Sequence, residues 1–158
     1  MTDPAIDPKR IPWRLVRRAL RYARSAWFVR PEPSSDALAI DCSHDELRRA
    51  LGERHFEPNW ETAYLYRGEV ENLRRVTFAE LPPVHDESDD LIVWWQTHVR
   101  TWDHEGAFEI KARAHWEPEP TEFPDAHLDG IGFDRTRAME TLRSILDEEG
   151  IDYEHAEP

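Results

Sequence analysis

Two stretches of alternating character, Leu91–Trp102 and Ala107–Trp116, flank Asp103-His104-Glu105-Gly106 and constrain the fold more than anything else in the chain. Period-two alternation is the mark of a strand with two unlike faces, and a short loop ending in Gly suits a hairpin. If Trp102 opposes Ala107, one face carries Val93, Trp95, Thr97 and Val99 opposite Trp116, Ala114, Ala112 and Ile110. The other carries Arg100 opposite Glu109, His98 opposite Lys111, Gln96 opposite Arg113 and Trp94 opposite His115. The first set reads as a core face and the second as a polar one.

The remaining periodicities predict helices packed around this hairpin. Ala37–Asp41 reads as a strand, and Ser43 with Glu46 forms a capping box for a helix to Gly52. Thr62–Tyr66 and Val70–Phe78 read as strands joined at Gly68-Glu69. Residues 81–90 and the Pro-rich stretch 117–134 read as largely irregular. Asp134 caps a helix with Ala138, Met139, Leu142, Ile145 and Leu146 on one side, and Gly150 ends it. A short edge strand over 151–153 can follow. The expectation is an α+β fold: an antiparallel sheet centred on the 91–116 hairpin, packed with helices, plus a basic N-terminal helix. It divides as helix 1–30, linker 31–36 and acidic domain 37–158.

That N-terminal helix is the strongest compositional anomaly. Residues 1–30 hold eight Lys and Arg against Asp3 and Asp7, a net of +6, which leaves −19 on the rest of a chain of net charge −13. Over 11–28, Trp13, Val16, Leu20, Ala23 and Trp27 share one stripe, while Arg14, Arg17, Arg18, Arg21 and Arg24 occupy the opposite arc. With Phe28, the aromatic residues fit a contact with a protein partner or an anionic membrane face, and the arginines would orient it. The competing arrangement lays the stripe on the chain's own sheet, with its arginines meeting the acidic body. Overall, 33 acidic residues, and only Lys9 and Lys111 as lysines, resemble the proteomes of salt-in halophilic archaea. An acidic protein from a GC-rich genome has a similar balance. In molar salt the Debye length falls to ~3 Å, which disfavours nucleic acid as a partner, since phosphate binding rests on counterion release. No secretory h-region follows the polar start, so the expected location is cytoplasmic, peripheral to the membrane if the helix docks there.

Chemistry has three candidate seats. Arg100, Lys111 and Arg113, with Gln96 and His98, make a cationic strand face able to hold a carboxylate or phosphate. His115 and Glu117 share a strand face, and His127 follows; two imidazoles and a carboxylate suit a metal with open positions. In the register above, His98 stands four residues from the position opposite His115, about 13 Å away at ~3.3 Å per residue, and is left out. Cys42, the only cysteine, precedes a helix cap and has His44 nearby, but it equally suits a small core position. Six glycines form neither a GxGxxG nor a P-loop, so no nucleotide cofactor is expected. The leading expectation is a non-catalytic interaction protein docking through residues 10–30; the alternative is a metal-dependent or anion-binding enzyme. Removing residues 1–30 is expected to abolish co-flotation or co-purification in molar salt, and equal behaviour of both chains overturns the docking reading.

Overall fold

The computed structural model describes residues 29–59, 64–79 and 91–156. The expected N-terminal helix, with Trp13, Arg14, Arg17, Arg18, Arg21, Arg24, Trp27 and Phe28, lies outside them. The chain divides into two compact units, one of Met1–Pro33 and Asn59–Arg67, the other of Ser34–Pro58 and Gly68–Pro158. In the first, β1 (Val29–Arg30) pairs in parallel with β4 (Leu65–Tyr66). The Arg30 guanidinium lies 3.9 Å from the centre of the Tyr64 ring. This replaces the expected pairing of Thr62–Tyr66 with the strand that follows it. Because β4 finds its partner at Val29–Arg30, the Gly68 bend separates units instead of closing a hairpin.

The second unit is an α+β sheet structure. Its strands are β2 (Ala37–Ile40), β3 (Glu57–Pro58), β5 (Glu69–Phe78), β6 (Trp94–Asp103), β7 (Ile110–Pro118) and β8 (Tyr153–Ala156), with helices α1 (His44–Gly52), α2 (Pro124–Leu128) and α3 (Arg135–Glu149). The strands form one sheet in the order β3-β5-β6-β7-β2-β8, and each neighbouring pair is antiparallel. The capping box is present: Ser43 Oγ accepts from Glu46 N–H at 3.3 Å, and Glu46 Oε2 accepts from Ser43 N–H at 2.9 Å. Gly150 ends α3 at φ 66, a left-handed conformation that Gly adopts at little steric cost.

One sheet face carries the hydrophobic core. Leu38, Ile40, Leu73, Trp95, Val99, Ile110, Ala112, Ala114 and Trp116 pack with Leu47 and Leu51 of α1 and with Ala138, Met139, Leu142, Ile145 and Leu146 of α3. The Trp95 and Trp116 rings stack with centroids 5.5 Å apart.

The central hairpin keeps its expected faces but not its expected register. Trp102 opposes Lys111, a displacement of four residues, because Asp103 continues β6 and β7 starts only at Ile110. The loop is therefore 104–109, closed by His104 N–H donating to the Glu109 carbonyl at 2.9 Å. Arg100 consequently opposes Arg113, not Glu109, and Gln96 opposes Glu117, not Arg113. An even displacement leaves every side chain on the face expected of it. Residues 117–134 are also more ordered than expected: β7 runs to Pro118, and α2 opens with Pro124.

Leu146→Ala, at a fully buried α3 position, is expected to cost about 2–5 kcal/mol in urea unfolding. Leu128→Ala, at a site 81% exposed, is expected to stay within about 0.5 kcal/mol.

Candidate metal centre

The sheet face opposite the helices is polar yet buried. Asn72, Gln96, His98, Arg100, Trp102 and Arg113 are all at most 6% exposed. Cross-strand partners set out the rows Asn72–Arg100–Arg113, Arg74–His98–His115 and Val76–Gln96–Glu117. Phe78 and Trp94 begin a fourth, to which Glu119 adds by donating its N–H to the Trp94 carbonyl at 3.0 Å. A buried charge must be met inside the fold, since water is not there to solvate it. Arg100 Nη1 donates to Glu69 Oε2 at 2.6 Å. A bulge between Glu69 and Glu71 makes this possible: it places Glu69 opposite Trp102, on the Arg100 face, while Glu71 pairs with Thr101 on the other.

The middle rows bring two imidazoles onto one carboxylate oxygen. His98 Nε2 and His115 Nε2 each lie 3.2 Å from Glu117 Oε1. Gln96 Nε2 donates to the same oxygen at 3.0 Å. The two rings are stacked with centroids 4.9 Å apart, and His115 stacks in turn on Phe133 at 5.2 Å. Phe133 is held there by its chain neighbour, because Asp134 exchanges two backbone hydrogen bonds with Trp116 at 2.8 and 2.9 Å. His127, on α2, stands at the rim with Nδ1 3.1 Å from the Pro118 carbonyl and 3.5 Å from Glu117 Oε2.

One donor atom each from His98, His115 and Glu117 falls within a 4.8 Å span, a group able to hold a metal ion. Donors bound ~2.0–2.1 Å from a tetrahedral ion stand about 3.3 Å from one another, so the two 3.2 Å separations need little adjustment. The protonation states suit a cation as well. Burial, then the nearby charges of His115, Arg100, Arg74 and His127, hold His98 well below the ordinary imidazole range, so it is neutral near pH 7. Burial pushes the Glu117 carboxyl up. The His115 hydrogen bond, the charges of His115 and His127 and the Gln96 amide outweigh that and leave it below its ordinary value, ionised.

The expected trio of His115, Glu117 and His127 is thus rearranged. His115 and Glu117 are joined by His98, which the four-residue displacement moves directly opposite His115, while His127 stands beside the cluster. The shared face of His98 and His115 was readable from alternation, and only the loop length kept them apart. The cationic strand face is also placed differently. Besides the Arg100–Glu69 pair, Arg113 Nε donates to the Ser35 carbonyl at 3.0 Å and its guanidinium lies over the Trp102 ring, while Lys111 sits two rows from His98. Cys42 is buried, and burial with the charges of Glu46, Asp41 and Glu109 raises its thiol to about 11, the reverse of an activated nucleophile. His44 is taken up by Asp103 at 3.0 Å and Thr101 at 3.3 Å. Among the described residues no helix is long and apolar enough to cross a membrane. No known protein family, curated protein or solved structure matches the chain.

Because His98 has a lower pKa folded than unfolded, the unfolded chain binds the extra proton as pH falls. Its contribution is complete above the unfolded value of about 6.5 and is lost progressively below it, by up to ~1.4 kcal/mol per pH unit. Urea midpoints at pH 7.5 and 5.5 are expected to differ more for the parent chain than for His98→Gln. An equal drop in both would remove His98 as the source.

Proposed function

We propose that this protein binds a divalent transition metal through His98, His115 and Glu117 and uses the remaining coordination positions for a water-activating, hydrolytic reaction. The observation that carries this reading is the meeting of two imidazole Nε2 atoms at one carboxylate oxygen on a buried strand pair. A two-histidine, one-carboxylate set is a donor combination of catalytic zinc sites, and it leaves room for water. A metal held by these three side chains would supply activated water as a nucleophile at neutral pH.

The chain's own residues supply the support such a site needs. Gln96 fixes the Glu117 carboxylate from one side. His98 is the deepest ligand, with its side chain 5% exposed, whereas His115 at 19% and His127 at 27% lie on the side from which solvent reaches the cluster. His127 is therefore placed to accept or return a proton at that side, with Nδ1 held toward the Pro118 carbonyl. Arg74 lies 3.6 Å from Glu119, so a carboxylate stands beside the guanidinium nearest His98 in its row.

Dialysis of chelator-treated protein against Zn²⁺ or Co²⁺ is expected to load one ion per chain and raise the unfolding midpoint. At a free-metal concentration of 100 times Kd the gain is about 2.7 kcal/mol. His115→Ala and Glu117→Ala are each expected to weaken uptake at least tenfold, and Co²⁺ should show four-coordinate visible absorption. Absence of uptake, or uptake that survives both substitutions, overturns the reading.

A further inference from the structure

Immediately beyond the Glu117 row, Val76, Trp94, Glu119, Thr121 and Glu122 line a cavity of about 350 Å³. That is within the small-ligand range of ~300–1,000 Å³. Its floor continues the polar sheet face: Val76 is the strand partner of Gln96, Trp94 is two residues from Gln96, and Glu119 is two from Glu117. Trp94, 40% exposed, meets Phe78 edge-to-face with centroids 5.4 Å apart, so an aromatic wall stands open beside two carboxylates. Glu119 is itself only 5% exposed and is fixed in place, because its Oε2 accepts from the N–H groups of Thr121 at 2.8 Å and Glu122 at 2.9 Å. Its Oε1 forms an ion pair with Arg74 Nη1 at 3.6 Å, which offsets part of its charge and leaves the exposed Glu122 carboxylate as the less compensated one.

We propose that this cavity is a binding site for a small organic cation of the alkylammonium class. The indole of Trp94, which lines the cavity, can attract a positive charge through its quadrupole, the exposed carboxylate of Glu122 reinforces it, Glu119, paired with Arg74, adds a weaker share, and Val76 receives the alkyl groups. An anion would meet the exposed Glu122 carboxylate and a Glu119 whose charge Arg74 only partly offsets, and a neutral apolar molecule would gain only the Val76 and Trp94 contacts. Metals and small inorganic cations stay hydrated and gain little from an indole wall, which selects for a weakly hydrated, carbon-clad charge. In high salt, where long-range attraction is screened, the short-range contact with the ring persists. The site does not depend on a metal at His98, so it goes beyond the function proposed above and can fail separately.

The test titrates the chelator-treated full chain with choline and with its neutral isostere 3,3-dimethylbutan-1-ol, read by calorimetry and by saturation transfer to the ligand methyl groups. Saturable choline binding about tenfold tighter than the neutral alcohol is expected. Trp94→Ala should weaken choline at least about fivefold. Glu122→Gln, an exposed change that leaves the fold alone, should weaken it about twofold to threefold. Leu128→Ala should change nothing. Equal binding of the two probes, no binding of choline, or indifference to both Trp94→Ala and Glu122→Gln overturns the proposal. Zn²⁺ uptake in the same samples reports on the His98 cluster independently.

Discussion

Burial of charge on the side of the sheet away from the helices governs the second unit. A sheet whose outer face met water could carry Arg100, His98 and Glu117 at little cost. Here those side chains are shut away, and each needs partners of opposite sign or matching hydrogen-bond sense within the fold. Glu69 answers Arg100, and Gln96 with His115 answers Glu117. An arrangement that merely balanced charge would not require two histidines to converge on one oxygen. That convergence turns a problem of solvation into a candidate reactive centre.

The apolar side follows simpler rules and was correspondingly easier to read. Trp95, Val99, Ala112, Ala114 and Trp116 were assignable to one face from alternation alone, and the α3 stripe from Ala138 to Leu146 from its helical spacing. The Ser43–Glu46 box and the Asp134 cap were legible because capping chemistry is local, involving atoms three residues apart. Strand register is different: it depends on where a loop begins. Gly106 looked like the close of a four-residue turn, yet Asp103 stays in the ladder and the strands meet again only at Ile110. That slip hid the His98–His115 pairing, although both residues had been placed on the right face.

Other features had no local signal at all. The parallel contact of Leu65–Tyr66 with Val29–Arg30 joins residues far apart in sequence, and no turn chemistry announces it. The role of Glu119 was equally hidden. In sequence it is one acid in a Pro-rich run, but its carboxylate gathers two backbone N–H groups and shapes the exit from β7. Residue type and spacing indicate what a group can do, while tertiary placement decides which neighbours it does it with.

The bulge at Glu69–Glu71 makes the length of β5 matter in its own right. One surplus amino acid in β5 sets the phase between the outer end of that strand and its remainder, so Glu69 and Glu71 look toward opposite layers and serve different guanidiniums, those of Arg100 and Arg48. Losing it would bring the two halves of the strand into step and send one carboxylate to the wrong layer. In this strand the number of residues, as much as their identity, decides which layer each acidic group serves.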